Sequence, residues 1–97
     1  MQQSCRFSTR VREFLHQNGV KATLARIKIF GELTTTEDSL FSVDDIYQRL
    51  QRKDDIIAIS TVHKTLKKLC EFGLLLEDSS STSRNLLFKK TDEFANF

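Results

Sequence analysis

Proline is absent from this chain and glycine occurs three times, which argues against a loop-built or disordered protein and predicts mostly regular structure. Cysteine is scarce as well. Cys5 and Cys70 form no C-x-x-C and lie in unlike contexts, Cys70 on what reads as a buried helix face, so a disulfide framework is not expected and both thiols are read as reduced. No apolar run approaches the ~20 residues needed to cross a bilayer, and the opening Met-Gln-Gln-Ser-Cys-Arg lacks the apolar stretch of a secretory signal. A cytoplasmic protein with no membrane partner is therefore expected. What is present is 39% apolar and 29% charged content in 97 residues, with eight Phe and one Tyr. That supports a single small domain over residues 1–97 and leaves no room for a second core.

The net charge of +2 is unevenly spread. Residues 1–28 carry Arg6, Arg10, Arg12, Lys21, Arg26 and Lys28 against Glu13 alone, a net +5; residues 29–59 carry −4 and residues 60–97 carry +1. A polyanion would meet two basic zones, which favours a defined docking face over a uniformly basic surface.

Apolar spacing predicts four helices. Val11, Phe14 and Leu15 place the first over Ser8 to His16, with Ser8 or Thr9 as cap and Gly19 just past its end. Thr23 caps the second, in which Leu24, Ile27, Phe30 and Leu33 keep helical spacing. Thr34 to Leu40 reads as a loop. Ser42 and Asp45 form a capping-box-like start to the third helix, whose stripe is Val43, Ile46, Tyr47 and Leu50. Ile56 to Ile59 is β-prone and reads as one short strand or an extended linker. Ser60 then caps the fourth helix, with Val62, Leu66, Leu69 and Cys70 on one face and Gly73 as terminator. Leu74 to Leu76 and Asn85 to Lys90 are strand candidates around a polar tip, Glu77 to Arg84. Residues 91–97, with Phe94 and Phe97, read as a tail or the start of an incomplete element.

The fourth helix is the strongest functional feature. Ser60 to Leu69 holds Lys64, Lys67 and Lys68 and no acid, with Thr61 and His63 also on the outer face. Taken alone, such a face is usually an ordinary solvated helix surface. The element order changes the weighting. Helices, a short strand, a cationic helix and a polar-tipped hairpin, mainly α with a small β-hairpin, make the layout α-α-α-short β-α-β-β of a winged helix-turn-helix, whose recognition helix enters the major groove.

The segments HQNGVKATLARIKIFGEL, FSVDDIYQRL and AISTVHKTLKKLCEFGLL resemble, in order and spacing over about residues 14–90, the N-terminal DNA-binding domain of the ferric uptake regulator (Fur) family. The resemblance implies a DNA-binding transcriptional regulator with its recognition helix at about 60–72 in the major groove and its wing at 77–85 on the backbone. It assigns Thr23 and Arg26 to the helix 2 signature, Tyr47 to helix 3, and Ser60, Thr61, His63 and Lys64 to the recognition helix, with Lys21 at a basic backbone-contact position. Lys67, Lys68 and Arg84 complete the expected DNA-binding set. The chain also departs from the pattern. Where the family has a Tyr in the recognition helix, His63 stands. Two regulatory metal-ligand positions hold Ser39 or Leu40 and Lys89, and neither an apolar side chain nor a cation ligates a divalent ion. The family's His- and Cys-rich C-terminal dimerisation domain is absent from these 97 residues, which implies a piece of a longer regulator or a minimal relative.

No metal site, cofactor or catalytic centre is therefore expected. His16 suits the negative end of the first helix, His63 reads either as a plain surface histidine or as a base or phosphate contact, and neither pairs with cysteine at zinc-ligand spacing. The adjacent acids Asp44–Asp45 and Asp54–Asp55 read as caps and solvated charge, and no nucleophile, oriented base and pocket can be assembled. The expected partner is double-stranded DNA, bound by a homodimer formed on DNA or through a further C-terminal region. The alternative is a winged-helix module for protein contact that uses the Ile56 to Ile59 edge or the Phe94 and Phe97 tail.

Overall fold

Capping chemistry sets most helix boundaries in the computed structural model, which describes residues 2–37, 39–80, 82 and 85–95, with side chains between Thr9 and Phe94. Helix α1 spans Gln2–Gln17, and Gly19 beyond it takes φ +72°, a left-handed geometry that glycine adopts without a Cβ clash. Thr23 Oγ1 accepts from the Arg26 amide at 3.2 Å and opens α2, Leu24–Thr35. The Ser42–Asp45 capping box is complete at the start of α3, Val43–Arg52: Asp45 N–H donates to Ser42 Oγ at 3.1 Å and Ser42 N–H donates to the Asp45 carboxylate at 2.9 Å. Helix α4, Ile59–Glu71, stops before Gly73 at φ +81°. Strands β1 (Phe41–Ser42), β2 (Leu75–Glu77) and β3 (Leu87–Lys90) form an antiparallel sheet in the order β1-β3-β2, and α5, Asp92–Ala95, follows. Helices α3 and α4 make the helix-turn-helix and β2 with β3 the wing, so the fold is a winged helix.

Several sequence expectations are corrected. Helix α1 starts at Gln2, well before Ser8 or Thr9, because a Ser or Thr is only mildly unfavourable inside a helix and need not cap one. Helix α2 runs on to Thr35, so Thr34 and Thr35 are helical, with each hydroxyl donating to a carbonyl three residues back. Leu24, in its first turn, is 65% exposed, and Ile29 joins Ile27, Phe30 and Leu33 in the core instead. The short strand is Phe41–Ser42, paired with Phe88 and Leu87, and Ile56 to Ala58 pairs with no strand. A β-prone run becomes a strand only where a partner edge lies beside it. Ile57 is buried, Ile56 is 98% exposed and Ile59 begins α4, with Ala58 rather than Ser60 at the N-cap. The tail also differs, because Phe94 is buried on α5 and stacks on Phe30 at 5.4 Å. The two surfaces of the protein-contact alternative thus lose an edge strand and an exposed aromatic, while Phe97 lies outside the described residues.

One core unites the elements. Val62, Thr65, Leu66 and Leu69 line the buried face of α4 and join Ile27, Phe30, Ile46, Leu50, Phe41 and Phe88. Thr65 satisfies its hydroxyl locally, donating to the Thr61 carbonyl at 2.8 Å. Outside the core, two ion pairs tie α2 to the turn between α3 and α4. Lys53 Nζ lies 2.8 Å from Glu32 Oε2, on a side chain only 5% exposed, and Lys28 bonds to Asp55. Between them Asp54 adopts φ 59°, a left-handed position that Asp tolerates better than most residues. At the other end of α2, Lys90 Nζ donates to the carbonyls of Leu33 (2.9 Å) and Thr36 (2.8 Å), a cation on the negative helix terminus.

Two substitutions test this packing. Leu66→Ala should destabilise the fold by about 2–5 kcal/mol; an unchanged melting temperature would mean that α4 is not packed into the core. Thr36 is buried and its Oγ1 has no hydrogen-bond partner, so Thr36→Val should stabilise by about 1 kcal/mol, since it removes an unsatisfied polar atom of nearly the same shape. The readout is a higher urea midpoint at an unchanged m-value, and a lower midpoint would contradict the assignment.

Candidate nucleic-acid interface

The face of α4 opposite its core stripe carries the expected recognition residues. Ser60, His63, Lys64, Lys67 and Lys68 are exposed and Thr61 is half-buried. The first turn holds no acid, and the N-cap Ala58 offers no side-chain hydrogen bond. Amide groups at such a helix start, with a positive dipole end and nearby lysines, form an environment for phosphate oxygens. His63 also borders a cleft of about 260 Å³ lined by Ser42, Val43, Asp44, Ile59, Asn85 and Leu86. The first turns of α3 and α4 therefore meet the approach to β3 at one place. Sequence reasoning missed this meeting, because Asp44 and Asn85 lie on elements that only the fold brings together.

The lysines of α4 differ in their surroundings. Lys64 has no ion-pair partner among the described residues, Lys67 Nζ sits 3.0 Å from Glu77 Oε1 on β2, and Lys68 Nζ is 3.9 Å from Glu71. A second basic zone lies where α1 meets the loop into α2. The Lys21 carbonyl accepts from Arg26 Nη1 at 2.6 Å and from the Thr23 amide at 3.1 Å, which fixes this loop and uses one arm of the Arg26 guanidinium. The exposed Lys21 side chain lines a shallow cleft of about 420 Å³ with Arg12, Glu13, His16, Val20 and Ala22. Arg12 and His16 stand one helical turn apart on α1, a periodicity readable from the sequence; His16 lies in the last turn of α1, as expected.

The wing is built from polar turns. Asp78 N–H donates to the Leu87 carbonyl at 2.8 Å, Thr82 and Asn85 exchange backbone hydrogen bonds at 3.0 and 3.2 Å, and the Ser80 amide donates to the Asp78 carboxylate at 3.0 Å. Hydrogen bonds from the Ser80 hydroxyl and amide hold the Asp78 carboxyl below its ordinary range. Arg84 lies outside the described residues. The paired acids are all engaged in structural roles. Asp45 caps α3, Asp44 accepts from Gln48 at 2.9 Å, Asp54 occupies the turn and Asp55 bonds Lys28. Cys70 is a free, half-buried thiol whose pKa is raised chiefly by burial, whereas the Cys5 side chain lies outside the described residues.

Residues 17–93 match the sequence profile of the Ferric uptake regulator family. The chain belongs to this family. Among Fur relatives, the ferric uptake regulation protein of Pseudomonas fluorescens is 31% identical over 62 residues, covering 64% of this chain and 50% of that protein. The chain spans about half the length of the curated relatives it matches. The Fur of Vibrio cholerae has the same fold, with a TM-score of 0.70 at 24% identity over 82% of this chain and 60% of that one. The Fur of Pseudomonas aeruginosa, solved with manganese, has a TM-score of 0.71 at 25% identity over 81% of this chain and 58% of that one. In this Fur chain the donor set does not fit such an ion. The positions that the resemblance gives to a regulatory metal hold the exposed residues Ser39 or Leu40 and Lys89, and an ammonium there would oppose a cation. Among the described residues no three His, Cys, Asp or Glu side chains converge, and no helix is long and apolar enough to cross a membrane.

Proposed function

We propose that this chain is a DNA-binding transcriptional regulator of the Fur type, non-enzymatic and cytoplasmic, that docks the N-terminal half of α4 in the major groove of double-stranded DNA. The observation that carries this reading is the two-sidedness of α4. Its apolar face is locked in the core, while its acid-free N-terminal half presents Ser60, Thr61, His63 and Lys64 outward. N-terminal residues of a recognition helix reach base edges, so Thr61, His63 and Lys64 take the base-reading role and Ser60 lies beside the helix-start amides that meet phosphate. Lys21, Arg26, Lys68 and Arg84 supply cations along the backbone, which position the domain without reading sequence, and Lys67 stands on the same face in an ion pair with Glu77.

A lone module of this kind buries about 600–1,000 Å² of its own surface on DNA, so tight binding calls for two copies, paired on DNA or through a further C-terminal region. Because Ser39 or Leu40 and Lys89 stand where the resemblance puts regulatory metal ligands, DNA binding by these 97 residues is expected to proceed without a divalent ion.

Fluorescence anisotropy with duplexes selected from random sequence tests the reading. Affinity should fall steeply with salt and be unaffected by a chelator. Lys21→Ala should weaken all duplexes alike and flatten the log-log salt slope by about one unit, whereas His63→Ala should change which sequence is preferred. Failure to bind any duplex at low salt, even with a selected sequence and a covalently linked pair of domains, would overturn it.

A further inference from the structure

The three lysines of α4 are not equivalent, and the difference comes from the wing. Lys64 has no ion-pair partner among the described residues. Lys68 is loosely matched with Glu71 on its own helix, at 3.9 Å. Lys67 is joined to another element, its Nζ donating to Glu77 Oε1 at 3.0 Å, with both side chains close to half exposed. Glu77 stands on β2 opposite Phe88, at the point where the strand leads into the wing tip.

We propose that Glu77 is an affinity-setting residue that withholds Lys67 from DNA phosphate. This rests on the duplex-binding reading above. A lysine that meets a phosphate from bulk water gains a counter-charge and displaces a condensed cation from the DNA. Lys67 already has a counter-charge. To reach a phosphate it must leave Glu77, and that carboxylate would then stand unpaired beside a polyanion. The exchange replaces one ion pair with another and adds a repulsion, so Lys67 contributes little to the salt-dependent part of binding. Phosphate contacts carry no sequence information, and Glu77 therefore lowers affinity for every duplex by the same factor. Base reading stays with the N-terminal half of α4, and the domain is kept from tight retention on arbitrary DNA.

The test compares the wild type, Glu77→Gln, Lys67→Ala and the double variant, titrated with one selected and one random duplex at several salt concentrations. Circular dichroism checks that each is folded. Glu77→Gln should tighten both duplexes equally and steepen the salt slope by about 0.9, so that its advantage shrinks about 3.5-fold between 50 and 200 mM salt. Lys67→Ala should leave the wild-type slope nearly unchanged and should cancel most of the effect of Glu77→Gln in the double variant, leaving only the smaller relief of repulsion. Glu71→Gln, which loosens a longer pair, should have a smaller effect. If Glu77→Gln acts equally with and without Lys67, the acid merely repels DNA and the inference is wrong. An unchanged slope in a Glu77→Gln variant that still binds duplex overturns the inference alone. Absence of duplex binding by every protein, at low salt and with the selected sequence, overturns the functional reading with it.

Discussion

Burial of one face of α4 is the constraint on which the rest of the molecule depends. Val62, Thr65, Leu66 and Leu69 face the core shared by α2, α3 and the sheet, so rotation of α4 about its axis would expose apolar side chains and bury lysine. Burying a fully desolvated Leu stabilises by roughly 1.5–3 kcal/mol, and burying an unpaired charge is strongly unfavourable. The direction in which His63 and Lys64 point therefore follows from packing. The Lys53–Glu32 and Lys28–Asp55 pairs act on a second coordinate by holding the turn that enters α4 against α2. Glu32 is almost fully buried, so loss of Lys53 would leave an uncompensated charge and loosen that turn.

Several features set by neighbours along the chain are legible in the amino-acid sequence, although the caps read at Ser8 or Thr9 and at Ser60 lie inside helices. The Thr23 cap, the Ser42–Asp45 box and the glycines after α1 and α4 each depend on residues within one turn, and each is found where the spacing puts it. Features set by distant partners are not legible in this way. A two-residue strand such as β1 has no alternation to detect and exists because Phe88 and Leu87 lie beside it. The Ile56 to Ile59 run has the right composition for a strand but no partner edge. Likewise, Phe94 reads as part of an unfinished tail, because nothing near it in sequence reveals the ring of Phe30 on which it stacks.

The site follows the same division. The acid-free outer face of α4 is a periodicity and can be read directly, whereas the pairing of Lys67 with Glu77 depends on how the wing folds back. The metal question is also one of residue type in context. This chain shares the Fur fold with a protein solved with manganese, yet it places Lys89 at one of the positions that the resemblance gives to the ion. Helix packing needs apolar stripes and a metal needs convergent donors, so the shared fold does not by itself carry a metal site at these positions.

If α4 meets DNA through its N-terminal half, contact with a duplex must be local to that face. The direct measurement is amide chemical-shift mapping of the 15N-labelled protein, titrated at low salt with a duplex selected from random sequence. The expected result is a set of large shifts centred on Ser60 to Lys64, with a second group at Lys21 to Arg26 and little change in α5. Shifts that cluster on α5 or on the outer face of α3, with Ser60 to Lys64 unmoved, would contradict the assignment.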